Sequence, residues 1–333
     1  MKVRSGLVAS TCWSATVVLS CFIAGCGGGG PASPPPAHPS SLFVVDASTA
    51  AVAGFDSTTP PAGSTAAGHN LALLSNTDGP VAYDPVHDLL YVATTPPHTS
   101  NDSSAQIRVF EHARTLGAGA MPARSISLEN SQQIQGMAVD GASDTLWVFE
   151  RDMIYTTVDD AIIRRVGSAS TATSSPDFVV TLGHWTESAT YDPVRDIVYA
   201  SDGSGIRVLS QASASKYWIA APTQEFGTGI DGVALACDTA RDIVYVADGA
   251  GGGIGLMLNA STASPTFVGL RLLPAPPTSL AVDSANDRLY VSAGGSVYVF
   301  DQASRLTTQS PVPAPTIVGA ASDRYWLAGA TIR

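Results

Sequence analysis

The chain has 333 residues and a formal net charge of −11, from 28 acidic and 17 basic side chains. With no basic cluster in the sequence, this balance excludes a nucleic-acid surface built on lysine and arginine. Hydrophobic residues make up 45% and charged residues 14%, enough apolar content for a large buried core.

Lys2 and Arg4 precede an apolar stretch from Leu7 to Ala24 that contains no charge. These are the charged and apolar regions of a secretory signal. The stretch approaches the roughly 18 residues of a membrane span. It ends, however, in Ile23-Ala24-Gly25-Cys26, followed by Gly27 to Gly30. That ending resembles the lipobox of bacterial lipoproteins, in which small residues precede a cysteine that is acylated and becomes the new N-terminus. The resemblance implies a signal peptide over residues 1–25 and a lipidated Cys26, palmitate among its acyl chains. It also implies attachment to the lipid bilayer, which two or three chains secure better than one. An uncleaved anchor is the alternative. Gly27 is not the aspartate that the resemblance associates with inner-membrane retention, so the bacterial outer membrane is favoured, with periplasm or medium left open. Residues 26–40 form a glycine- and proline-rich tether, since prolines at the density of Pro31 to Pro39 favour an extended spacer.

Removing the signal would leave Lys216 as the sole lysine and take the charge to −13. Cys12 and Cys21 would leave with it, and Cys26 would carry lipid. Cys237 would stand alone, so no intramolecular disulfide is expected and stability must come from core burial. Cys237 itself reads as a small buried apolar side chain.

From residue 84 onward one pattern recurs five times: Asp, three residues, Asp, two residues, an aromatic. The copies are Asp84/Asp88/Tyr91, Asp140/Asp144/Trp147, Asp192/Asp196/Tyr199, Asp238/Asp242/Tyr245 and Asp283/Asp287/Tyr290, starting 56, 52, 46 and 45 residues apart. A period of that length marks stacked supersecondary units. Each unit reads as four strands, a to d. The copy near residue 230 is the clearest. Val233 to Cys237 is strand a, and Asp238 to Asp242 is a turn whose first carboxylate accepts backbone N–H groups. Ile243 to Val246 is the β-branched and aromatic strand b, Ile254 to Met257 strand c, and Ser264 to Leu270 strand d. No segment after the tether shows a sustained helical period with caps.

These units predict an all-β domain over residues 41–333, a six-bladed β-propeller of four-stranded blades. Leu42 to Asp46, Val52 to Asp56 and Asn70 to Leu74 match strands b, c and d. The first sheet therefore lacks strand a, which a segment within Trp326 to Arg333 can supply to close the ring. Asp323-Arg324-Tyr325-Trp326 mimics the start of another strand b, which makes seven blades the alternative. The run Gly232-Val233-Ala234-Leu235, continued by Asp242-Ile243-Val244-Tyr245-Val246-Ala247-Asp248-Gly249, resembles an NHL or YVTN-type repeat. So does Ser279-Leu280-Ala281-Val282-Asp283 with Leu289-Tyr290-Val291. The resemblance implies a propeller group whose members include interaction scaffolds, lactonases and lyases, so it does not select a function.

The repeated aspartates Asp84, Asp140, Asp192, Asp238 and Asp283 read as turn chemistry, on the face opposite the expected site. On that expected face, His184, Glu187 and Asp231 in the d–a connectors are candidate catalytic groups, His184 and Glu187 as an acid/base pair. Asp46, Glu150, Asp202 and Asp248 occupy the same position, three residues past their strand-b aromatic. Acidic side chains at four of six equivalent places are candidate ligands of a Ca²⁺ rim, or else each caps its own glycine-rich turn. Gly227-Thr228-Gly229-Ile230-Asp231-Gly232 matches Gly-x-Gly-x-x-Gly but leads into a strand and not a helix, so it lacks the context of a dinucleotide site. Two functional classes follow. One is an anchored scaffold binding a protein, glycan or small ligand. The other is a Ca²⁺-dependent lactonase- or lyase-like enzyme using the channel.

Overall fold

A computed structural model describes residues 41–46, 51–56, 69–72, 79–94, 105–117, 119–128, 133–152, 160–173, 178–181, 186–215, 222–227, 229–315, 317–318 and 325–329. The signal region, Cys26, the tether and His184 lie outside them. All described strands belong to one compact unit, His38–Arg333.

The strands form six four-stranded antiparallel sheets. After β1 (Ser41–Asp46), β2 (Ala51–Asp56) and β3 (His69–Ala72), blade I comprises β4 (Val81–Asp84), β5 (Leu89–Thr94), β6 (Gln106–Glu111) and β7 (Arg124–Ser127). Blade II runs β8 (Gln133–Asp140), β9 (Thr145–Asp152), β10 (Asp160–Gly167), β11 (Phe178–Thr181). Blade III is β12 (Ser188–Asp192), β13 (Ile197–Ser201), β14 (Gly205–Ser210), β15 (Gln224–Gly227). Blade IV contains β16 (Gly232–Asp238), β17 (Ile243–Asp248), β18 (Gly253–Leu258), β19 (Thr266–Leu272). Blade V contains β20 (Pro277–Asp283), β21 (Arg288–Ala293), β22 (Ser296–Asp301), β23 (Ile317–Val318). The closing sheet joins both ends of the chain: β1 (Ser41–Asp46), β2 (Ala51–Asp56) and β3 (His69–Ala72), with β24 (Tyr325–Gly329) against β1. The innermost strands β4, β8, β12, β16, β20 and β24 touch in succession, and β24 returns to β4.

The expected ring of six blades, or alternatively seven, requires correction to five blades and a closing sheet. Five blades are contiguous units that carry the aspartate motif, and they are unequal. Among the described residues, the outer strand of blade V is Ile317–Val318 and pairs at two positions, Ser296 with Val318 and Val297 with Ile317. The remaining sheet carries no copy of the motif and is completed across the chain ends, Leu42 pairing with Gly329 and Asp46 with Tyr325. A seventh unit is overturned by the same pairing, because Tyr325 and Trp326 are spent in β24.

The motif turns are built alike. In each, the first aspartate's Oδ1 accepts the backbone N–H three residues on, at 3.2–3.4 Å. Its Oδ2 accepts the side chain at that same position: His87 (2.7 Å), Ser143 (2.8 Å), Arg195 (2.8 Å), Arg241 (2.9 Å) and Asn286 (2.7 Å). Asp84, Asp192, Asp238 and Asp283 are buried, so these donors replace the water each carboxylate gives up. The second aspartate is left-handed in every copy, with φ between 50° and 57°. Among non-glycine residues, aspartate is one of the few that adopt this conformation readily. Its carboxylate reaches the turn after strand c. Asp144, Asp196, Asp242 and Asp287 each accept both the N–H and the Oγ–H of a serine, Ser170, Ser213, Ser261 and Ser304. Asp88 accepts from the backbone and Nε of Arg114. The a–b and c–d turns therefore share one face and are tied together there. Three of the c–d turns contain a single 3-10 turn: Ala113–Thr115, Ala212–Ala214 and Ala303–Arg305.

The motif aromatics are the largest fully buried side chains: Trp147, Tyr91, Tyr199, Tyr245 and Tyr290. Tyr245 packs in a core cluster that runs from blade IV into Leu280 and Val282 of blade V. Tyr290 packs with Leu42 and Val44 of the closing sheet. Burial of these side chains couples neighbouring sheets, at roughly 1.5–3 kcal/mol for each large apolar group.

The turn tie is testable. Asp242→Ala removes two hydrogen bonds to Ser261 and leaves alanine in a left-handed conformation. It should lower unfolding free energy by about 2–3 kcal/mol. Asp242→Asn keeps the conformation and an acceptor and should cost less than half of that. Urea denaturation of the two variants makes the comparison.

Candidate functional site: the central channel

The innermost strands enclose a channel of about 470 Å³. Its wall is mostly small and apolar: Ala82, Ala138, Ala189, Ala236 and Ala281, with Met137, Leu235, Cys237, Leu280 and Val282 between them. Strand a supplies these residues because a crowded axis leaves room for little more than alanine, while larger side chains fill the widening space between blades. The channel also takes in Pro85, Val86, Asp140 to Ala142, Pro193 and Thr239, which belong to the a–b turns. It therefore reaches the face that carries the aspartate motif, opposite the face expected from the sequence. Val86 and Val194, both at the third position of a motif turn, are 65% and 53% exposed on that face.

Among the described residues, the two faces differ in chemistry. Cys237 is buried in the wall, and burial, reinforced by Asp192 and Asp238, pushes its thiol pKa well up, so it is a neutral packing group. Arg114 lines the channel from blade I, held by Asp88 at 3.1 Å. On the opposite face, the backbone N–H of Glu187 donates to Ser201 at 2.9 Å, and the carbonyl of Asp231 accepts from Val233 and Gly249. Neither Glu187 nor Asp231 lines the channel.

The four acidic positions past strand b have separate surroundings. Glu150 is buried against Arg164 across β9 and β10, at 2.6 Å. Buried pairing of this kind is held by mutual neutralisation, and losing one partner costs about 3–5 kcal/mol. Asp248 is buried and accepts the N–H of Ala250 at 3.1 Å, closing its own turn. Asp202 accepts the N–H and Oγ–H of Ser204 and the N–H of Gly205 at 2.9–3.0 Å, and pairs with Arg207 at 2.7 Å. Asp46 ends β1 opposite Ala51. Among the described residues, Glu150, Asp202 and Asp248 do not come together within ligating distance as a group. The one group that does is on the motif face: Asp84, His87 and Asp144, whose ligand atoms lie within 4.8 Å. Sequence reasoning passed over His87 because it occupies a variable position inside the motif. The detectable signal was that this position carries a polar donor in all five copies.

Asp202 gives a pH prediction. Burial opposes its ionisation, but the donors of Ser204, Arg207 and Gly205 outweigh burial and lower its pKa. A depressed carboxylate contributes stability that is present above the unfolded-state pKa, about 3.9, and is lost as pH falls through the folded value. Thermal melts from pH 6 to pH 2.5 should therefore show a shallower acid-side decline for Asp202→Asn than for the wild type, from a lower starting point at pH 6.

No protein-family model matches the chain, and no curated protein matches it. Solved structures do. One similar chain comes from the crystal structure of a nidogen/laminin complex, at a TM-score of 0.60 and 13% identity, over 87% of this chain and 98% of that one. Another is a functionally unknown protein from Desulfotomaculum acetoxidans, at a TM-score of 0.54 and 11% identity, over 79% of this chain and 75% of that one. At such identities the likeness is one of fold, and the fold that this chain shares with them is the β-propeller.

Proposed function

We propose that the protein is a lipid-anchored, exported β-propeller scaffold that binds an apolar group in its central channel, approached from the motif face. The observation that carries this reading is the channel wall of alanine, leucine, valine and methionine side chains. Such a surface recognises by shape and water exclusion, as concave apolar sites do. The exposed valines Val86 and Val194 extend the apolar character onto the face around it. An apolar side chain of a partner, or the apolar portion of a small ligand, fits that chemistry. The fold that the chain shares with a chain of a nidogen/laminin complex is compatible with such a role. Attachment rests on the lipobox residues alone, with the outer membrane as the proposed location.

Two experiments test the two halves. The apolar fluorophore N-phenyl-1-naphthylamine should bind the purified protein with an emission increase. Thr190→Phe places a large ring on a half-buried position of the wall and should weaken that binding more than about tenfold, at a melting temperature near that of the wild type. No emission change in the wild type, or equal binding by the variant, rejects the channel as the site. For the anchor, Cys26→Ala should abolish radiolabelled palmitate incorporation and shift the protein from the membrane to the soluble fraction. Persistent labelling would reject Cys26 as the lipid attachment point.

A further inference from the structure

At the junctions between blades, two turns meet: the first aspartate of one blade and the second aspartate of the next. Between blades III and IV, Arg195 bridges them. Its Nη1 donates to Asp192 at 2.8 Å and to the carbonyl of Thr239 at 2.9 Å, and its Nε lies 3.6 Å from Asp242. Between blades IV and V, Arg241 repeats this, with Asp238 at 2.9 Å, the Ser284 carbonyl at 2.6 Å and Asp287 at 3.7 Å. A cation thus sits between two carboxylates that belong to different blades.

Between blades I and II the same place in the motif holds His87. Its Nδ1 is 2.7 Å from Asp84, and the set Asp84, His87 and Asp144 converges within 4.8 Å. An imidazole reaches less far than the guanidinium at the end of an arginine side chain. Gly141 stands where blades IV and V carry Thr239 and Ser284, and a Cβ on Gly141 would lie 2.5 Å from Asp84 Oδ1 and 2.8 Å from Val86.

We propose that Asp84, His87 and Asp144 form a divalent transition-metal site that takes Zn²⁺ and joins blade I to blade II, doing there what arginine does at the two later junctions. One imidazole and two carboxylates suit Zn²⁺, which leaves a fourth position for water. Ca²⁺ would require six to eight oxygens, which this set lacks. Ligation through Nδ1 would hold the neutral imidazole with its ring proton on Nε2.

The test uses the full chain, purified in detergent without a histidine tag and stripped with a chelator. Titration with ZnCl₂ should give one site per chain by calorimetry and raise the melting temperature by about 5 °C at a hundredfold excess over Kd. Asp144→Asn and His87→Gln should each weaken Zn²⁺ binding more than about tenfold. His87→Arg installs the residue of the later junctions. It should abolish the Zn²⁺ response while matching or exceeding the melting temperature of the metal-free wild type. No Zn²⁺-dependent shift in the wild type overturns the proposal, and so does Zn²⁺ binding that His87→Arg and Asp144→Asn leave unchanged.

Discussion

The structure depends on what a carboxylate does when it is buried beside a turn. Successive blades of a propeller are joined covalently only by the connector from strand d to the next strand a, and beyond that their sheets are held together largely by side chains. The turns at one end must therefore be held in a fixed shape, or the strands they join would splay. Here the first aspartate of each motif satisfies its own turn, and the second binds the turn after strand c. Each blade is thereby clamped at one end. Because Asp192 and Asp238 are buried, their charges demand donors, and those donors reach onward to the next blade through Arg195 and Arg241. Intrablade order and interblade order arise from the same groups.

The motif was legible in the sequence because its internal spacing is local and invariant. Its partners were not. The serine bound by the second aspartate lies 26 residues downstream of Asp144 but 17 downstream of Asp196 and Asp287. Variable b–c connectors break the period, and only an Ala-Ser pair after strand c marks the place. The strands themselves followed from β-branched runs, and β24 from the missing fourth strand of the first sheet. Unequal blades were not foreseeable: a two-residue outer strand such as β23 looks in sequence like any other short apolar pair.

The site was read less well, for a physical reason. Chemically rich residues drew attention to Glu187, Asp231 and the acidic positions past strand b, yet Glu150, Asp202 and Asp248 are occupied in local structure. The channel is made of alanines, which carry no chemical signal in one dimension and acquire meaning only when strands from successive blades face a common axis. Polar groups inside a repeat were read as scaffold because they recur. A repeat, however, also exposes its exceptions, and His87 is informative because the equivalent positions in blades III and IV are arginine.

The pairing of β1 between β24 and β2 has a mechanical consequence. The chain enters the folded unit at Ser41 through a strand with hydrogen-bonded neighbours on both sides. Tension applied along β1 from its N-terminal side must shear two antiparallel ladders at once, whereas peeling an edge strand breaks one bond at a time. The strand that closes the ring is thus also the strand best placed to bear load.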